Sequence, residues 1–79
     1  MFTVYVLKSD RDGHRYVGFT SNLKRRLSEH NLGRVKSTKN RKPFQLIYKD
    51  EFESKAEAMS RENFFKSGKG REFLNSNSA

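Results

Sequence analysis

Closely alternating apolar and polar positions at the start of the chain give way to wider, helix-like spacings further on, and this change of period divides the sequence into elements. Thr3-Val4-Tyr5-Val6-Leu7 and Arg15-Tyr16-Val17-Gly18-Phe19 are rich in branched and aromatic residues and flank Ser9-Asp10-Arg11-Asp12-Gly13, a cluster of turn formers ending in Asp-Gly. Together they predict a β-hairpin. Side chains alternate along a strand, so Phe2, Val4 and Val6 fall on one face and Thr3, Tyr5 and Leu7 on the other, with Tyr5 and Tyr16 on neighbouring strands. Thr20-Ser21-Asn22 offers capping side chains, Leu23 and Leu27 a buried stripe, and Gly33 a stop, which predicts a helix from about Asn22 to Leu32. Arg26 and His30, one helical turn apart, stack beside that stripe.

The segment from Gly33 to Lys42, GRVKSTKNRK, has no period and little apolar content. It reads as an exposed loop that becomes ordered on a polyanion. Pro43 closes it, and the aromatic and branched run beginning at Phe44 predicts a third strand, buried through Phe44, Leu46 and Tyr48. Ser54-Lys55-Ala56-Glu57 is a capping box that opens a second helix near Lys55, running to about Ser67. Ala58, Glu62 and Phe65 share one face of it, placing an acid among apolar neighbours. Gly68 and Gly70 end this helix, Arg71 to Leu74 make one more turn, and residues 75–79 read as a frayed tail. The expected fold is α/β in the α+β sense: a single domain over residues 1–79 with a small, mainly antiparallel three-stranded sheet, about Phe2 to Leu7, His14 to Thr20 and Phe44 to Phe52, flanked by two principal helices.

Charge changes the picture from fold to function. The 79 residues carry a formal net charge of +8, and a basic domain of this size ordinarily meets a polyanion, nucleic acid before any other. The charge is uneven: Lys24, Arg25, Arg26, Arg34, Lys36, Lys39, Arg41 and Lys42 lie in one stretch whose only acid is Glu29. These cations do not back a continuous apolar face, which argues against a membrane surface. No cysteine is present, so a disulfide framework and thiolate metal sites are excluded. With no long apolar run and no signal-like start, the expected location is the cytoplasm.

Taken singly, the chemistry-bearing residues are ordinary. Tyrosines on strands are usually packing residues, an arginine on a helix is usually a surface cation, a histidine near a helix end interacts with its dipole, and Glu62 can pair with Lys66 one turn on. Their joint spacing is more specific. Thr3-Val4-Tyr5, then Tyr16-Val17-Gly18, Arg26 ten positions after Tyr16, His30 four later and Glu62 in a Ser-Arg-Glu-Asn context resemble the GIY-YIG nuclease superfamily, its small single-domain members in particular. Two departures are visible: Thr3 stands where the name-giving glycine is expected, and Phe19 where some members carry a lysine. Asn75 lies downstream of Glu62, as an asparagine does in larger members, but in the tail read as frayed, and it receives no role.

The resemblance implies an endonuclease that hydrolyses phosphodiester bonds, DNA first, in settings such as DNA repair. Such hydrolysis needs an activated water, neutralisation of charge on the phosphate oxygens and a stabilised leaving oxygen. A tyrosine would help deprotonate the water, Tyr5 with Tyr16 orienting or substituting, its phenolate favoured by Arg26 and a bound divalent ion. Arg26 would hold the scissile phosphate through planar paired donors. His30 would position Tyr5, relay a proton or touch the phosphate. Glu62 would bind a single Mg²⁺ or Mn²⁺, and Gly18 would permit close approach beside the tyrosines. Lys24, Arg25, Arg34, Lys36, Lys39, Arg41 and Lys42 would contact the nucleic-acid backbone. Two other readings stand beside this one: a nucleic-acid-binding module with the fold but little catalysis, and a catalytic subunit that needs a targeting protein partner. RNA stands beside DNA as a second candidate substrate.

Overall fold

The computed structural model describes residues 1–77. Among them the chain forms β1 (Phe2–Ser9), β2 (Arg15–Thr20), α1 (Leu23–Asn31), β3 (Phe44–Phe52), α2 (Lys55–Lys66) and α3 (Gly68–Asn77). The strands make one antiparallel sheet in the order β2-β1-β3. The first strand is thus central, and the expected α+β architecture is the one observed. Both faces of β1 are covered, with Val4, Tyr5, Val6 and Leu7 all at or below 1% exposure.

The two faces belong to different helices. Val4 and Val6 pack with Ala58 and Phe65 of α2 and Leu74 of α3, joined by Phe2, Val17, Phe19 and Tyr48. Tyr5 and Leu7 pack with Phe44, and Tyr16, Leu23 and Leu27 close over them from β2 and α1. Phe19 pairs with Val4 and belongs to the α2–α3 face. A lysine at that position would therefore leave the opposite face of the sheet from Tyr5.

A bulge in β3 serves both faces at once. Val6 pairs with Tyr48 but Leu7 pairs with Leu46, so Ile47 is an extra residue with no partner on β1. An added residue reverses the in–out alternation beyond it. Tyr48 accordingly sits on the α2–α3 face and Phe44 on the α1 face. The expected burial through Phe44, Leu46 and Tyr48 is corrected at Leu46, which is 36% exposed, while Phe44 is buried on one face and Tyr48 half-buried on the other.

The caps follow the sequence closely. The Asn22 side chain accepts from the Arg25 amide at the start of α1, and at its end the Gly33 and Arg34 amides donate back to the His30 and Glu29 carbonyls, the double closure of a Schellman motif. Ser54 accepts from the Glu57 amide to open α2. Two expectations fail. Gly68 and Gly70 lie inside α3, with only Ser67 interrupting the helical run, and α3 continues through Asn77, taking in residues 75–77 of the expected tail; residues 78–79 lie outside the described residues.

Gly70 explains why a glycine-rich stretch is helical at this point. A Cβ there would stand 2.0 Å from the Phe64 carbonyl oxygen and 2.5 Å from the Phe65 Cα, so α3 can fold back against the end of α2 only without a side chain. Both clashing atoms are backbone. Gly70→Ala is therefore expected to destabilise the protein by roughly 1–3 kcal/mol, the usual cost of overpacking, read as a lower midpoint in urea unfolding, while Gly68→Ala, whose Cβ meets nothing within 4 Å, should not.

Candidate active site

Tyr5, Tyr16, His30 and Arg26 converge on the α1 face of the sheet because of register and helical spacing. Tyr5 pairs with Gly18 and Leu7 with Tyr16, so the two tyrosines are diagonal neighbours with ring centroids 6.3 Å apart. His30 projects from the last turn of α1 into the same layer, with its ring 4.8 Å from that of Tyr16 and 5.9 Å from that of Tyr5. Gly18 makes room for this arrangement: a Cβ there would stand 2.6 Å from the Tyr5 phenol oxygen.

The polar atoms of this layer are paired. The Tyr5 phenol oxygen is 3.1 Å from His30 Nε2, and His30 Nδ1 is 2.8 Å from Thr38 Oγ1, with His30 and Thr38 wholly buried. Arg26 lies more open beside them, its Nη1 donating to Glu29 Oε1 at 3.3 Å. Burial pushes the Tyr5 phenol above its ordinary 10.0, assisted by the charges of Tyr16 and Glu62, and the Arg26 guanidinium opposes this without overcoming it. Arg26 thus acts on Tyr5 in the expected direction, towards phenolate, but burial outweighs it and the phenol is the favoured form in the protein as it stands. Burial and Arg26 likewise push His30 below 6.5, against Glu29, leaving a neutral imidazole at pH 7. The Tyr5 phenol in turn stabilises the protonated Arg26.

Glu62 reaches the site from the other side of the sheet. It stands on α2 at 18% exposure, its Oε1 3.7 Å from Lys66 Nζ, and lines an open cleft of about 760 Å³ together with Tyr16, Arg15, Arg41, Lys66 and Arg71. Tyr16 is thus shared between the buried layer and the cleft, while Tyr5 and His30 stand off its wall. Among the described residues no three or more histidine, cysteine or carboxylate side chains gather in a metal-holding group. A single, partly buried carboxylate on an open cleft suits a hard divalent cation that takes its other ligands from water and a phosphate. The donor set fits such an ion provided that the Lys66 ammonium is displaced.

The basic segment between α1 and β3 differs from its expectation. It is folded against the protein: Val35 and Thr38 are buried, the Thr38 amide donates to the Val35 carbonyl and the Arg41 amide to the Thr38 carbonyl. The buried Ser9 hydroxyl bonds the Arg41 carbonyl and accepts from the Arg11 and Asp12 amides. Arg41 itself pairs with Asp12 at 3.1 Å and lies over the Phe44 ring. Lys24, Arg25, Arg34, Lys36, Lys39 and Lys42 are exposed, and of the expected backbone contacts Arg41 is the one on the cleft wall. Sequence reasoning passed over three other cations on that wall, Arg15, Lys66 and Arg71. It also set aside Asn75, which accepts a hydrogen bond from Arg15. Arg15 precedes Tyr16 on the hairpin and Lys66 follows Glu62 by one turn, which is the signal that could have found those two.

Three comparisons place these features among known proteins. A family model described as the GIY-YIG catalytic domain matches residues 1–75. A UPF0213 protein of Streptococcus pneumoniae is 47% identical over 78 residues, 94% of this chain and 78% of its own, and one from Natronomonas pharaonis is 45% identical over 65 residues, 81% and 75% respectively. The solution NMR structure of a UPF0213 protein from Bacillus halodurans superposes with a TM-score of 0.58 at 39% identity, covering 96% of this chain and 84% of that one.

The neutral, buried His30 carries a pH signature. Its folded pKa lies below the ordinary 6.5, so as pH falls the unfolded chain takes up the proton first and the native state loses stability; above about 6.5 its contribution is complete. Thermal unfolding followed from about pH 7.5 to 5 should show a falling midpoint, and His30→Gln should flatten that fall. Equal pH dependence in the two proteins would contradict the buried neutral ring.

Proposed function

The chain belongs to the GIY-YIG family, and from that premise we propose that it is a divalent-metal-dependent nuclease that hydrolyses DNA phosphodiesters at the junction of the Tyr5–His30 pair and the Glu62 cleft. The observation that carries this reading is the hydrogen bond between a buried tyrosine and a neutral histidine, beside an arginine and within electrostatic reach of Glu62. A base needs somewhere to send the proton it takes. Tyr5 has that acceptor behind it, in the arrangement of base and orienting group that activates nucleophiles elsewhere.

In the proposed reaction water attacks phosphorus, one P–O bond forms and the ester P–O bond breaks, its electron pair leaving with the departing oxygen, which takes its proton from solvent. The proton of the water passes to the Tyr5 oxygen while the proton of Tyr5 passes to His30 Nε2, so the high phenol pKa is no obstacle: no standing phenolate is required. Arg26, charged at every working pH, binds the non-bridging oxygens of the scissile phosphate. Tyr16, on the cleft wall, orients the water. Glu62 would hold the divalent cation, Mg²⁺ or Mn²⁺, which when bound supplies charge neutralisation at the phosphate and leaving oxygen. Arg15, Lys66 and Arg71 receive the phosphates flanking the cut, with the exposed cations of the 24–42 stretch extending the track.

One observation favours the second reading, a nucleic-acid-binding module with little catalysis: Lys66 already neutralises Glu62. Cleavage decides. Labelled duplex, single-stranded and branched DNA are incubated with the protein in Mg²⁺, Mn²⁺ or EDTA. Metal-dependent cutting should fall ~10²-fold or more in Glu62→Gln, since loss of the ion removes several kcal/mol of charge stabilisation, with DNA affinity kept. Binding without cutting in the parent would establish the module instead. In either case Arg71→Ala should flatten the dependence of log affinity on log salt by about 0.7–0.9, one phosphate contact; an unchanged slope would remove Arg71 from the track.

A further inference from the structure

Thr38 sits in the middle of the most basic part of the chain, yet none of its surface is exposed and its Oγ1 stands 2.8 Å from His30 Nδ1. The segment that carries it is anchored on both sides. Its own backbone bonds to Val35 and Arg41, and Arg41 is tied to the hairpin through Ser9 and Asp12. Thr38 is thereby held with its hydroxyl against the imidazole.

Two tautomers of His30 satisfy both distances, and they place the hydrogens differently. A neutral imidazole has one N–H and one lone pair. Tyr5 is a protonated phenol, and in one tautomer its O–H donates to His30 Nε2, the partner at 3.1 Å. Nε2 then carries the lone pair, Nδ1 the hydrogen, and Thr38 Oγ1 accepts it. The reverse tautomer would aim Nε2–H at the Tyr5 oxygen and turn the phenol proton away from the histidine, leaving the proposed proton relay without its acceptor.

The geometry points to Thr38 as a positioning residue for cleavage: by accepting the Nδ1–H of His30 it keeps the Nε2 lone pair aimed at the Tyr5 proton. This rests on the nuclease reading above. When water gives its proton to the Tyr5 oxygen, the old Tyr5 O–H breaks, that proton bonds to Nε2, and the imidazolium so formed keeps its Nδ1–H on Thr38. Thr38 neither gains nor loses a proton. A valine would have the same shape and no acceptor, so the ring would lose the preference that makes it ready.

The test combines single-turnover cleavage in Mg²⁺ with long-range nitrogen–proton NMR of the full chain, for the parent, Thr38→Val and Thr38→Ser. The parent should show His30 protonated on Nδ1. Thr38→Val should shift the tautomer and lower the cleavage rate roughly 10–100-fold, the usual effect of losing an orienting partner, at unchanged DNA affinity, while Thr38→Ser keeps both parental values. A parent protonated on Nε2 overturns the proposal without any variant, which covers the case in which Thr38→Val fails to fold. Thr38→Val that cuts at the parental rate overturns it, and so does loss of cutting in both variants with the tautomer unmoved, which would make Thr38 a structural residue only. A parent that cuts no substrate overturns the nuclease reading instead, and the nitrogen shifts then decide the Thr38–His30 linkage by themselves.

Discussion

Taking a phenol, an imidazole and a hydroxyl out of water obliges each to find its partner inside the protein. In this chain the three meet one another: Tyr5 from the central strand, His30 from the last turn of α1 and Thr38 from the segment beyond it. Three elements that are separate in sequence are located by one row of atoms. The Schellman closure of α1 sets where His30 ends up, and the Ser9 and Asp12 contacts to Arg41 set where Thr38 does. Loss of any member leaves a buried polar atom unpaired, at a cost of about 1–3 kcal/mol, a large share of what a domain this small can spare. The row therefore ties the stability of the α1 face to the geometry of the proposed chemistry.

Much of this was legible in the sequence, for identifiable reasons. Period-two alternation in Thr3 to Leu7 assigned residues to the correct faces of β1, and Asn22, Gly33 and Ser54 marked helix ends within a residue or so, because caps are local chemistry. The third strand was misread for an equally definite reason. Strict alternation makes Phe44, Leu46 and Tyr48 equivalent, whereas the unpaired Ile47 lets one strand deliver Tyr48 to one core and Phe44 to the other. A bulge leaves no mark in composition, and it depends on what β1 presents. The second hidden feature was α3, where the glycines signal a stop only if the close approach of Gly70 to Phe64 and Phe65 is unknown.

The residues proposed for chemistry divide in the same way. Tyr5, Tyr16, Arg26 and His30 come together as their spacing suggests, since hairpin register and one helical turn are enough to bring them there. Thr38 and the cleft cations do not follow from local rules. A run of lysines and arginines advertises solvent exposure and conceals one buried hydroxyl among them, while Arg15 and Arg71 are brought to one wall only by the packing of α2 and α3 on the sheet. Charge density along the chain and charge density around the cleft are different quantities.

The resting electrostatics are those of a poised pair. Burial raises Tyr5 and lowers His30, so both shifts hold the proton on the phenol and the ring neutral, and the two groups are pushed apart in the sense that separates acid from base roles. The Glu62 charge adds to the pressure on Tyr5 and Arg26 relieves it. A divalent cation at Glu62 would offset its charge more fully than Lys66 does and remove one of the forces that keep the phenol protonated. A phosphate arriving at Arg26 acts on the partner, because Arg26 is one of the two causes that disfavour a charged His30, and pairing its charge weakens that repulsion. Both changes lower the cost of moving the proton from Tyr5 towards His30, and both come with bound ligand. On the proposed mechanism this makes the same geometry inert in the empty protein and responsive when the cleft is filled, without any movement of the backbone.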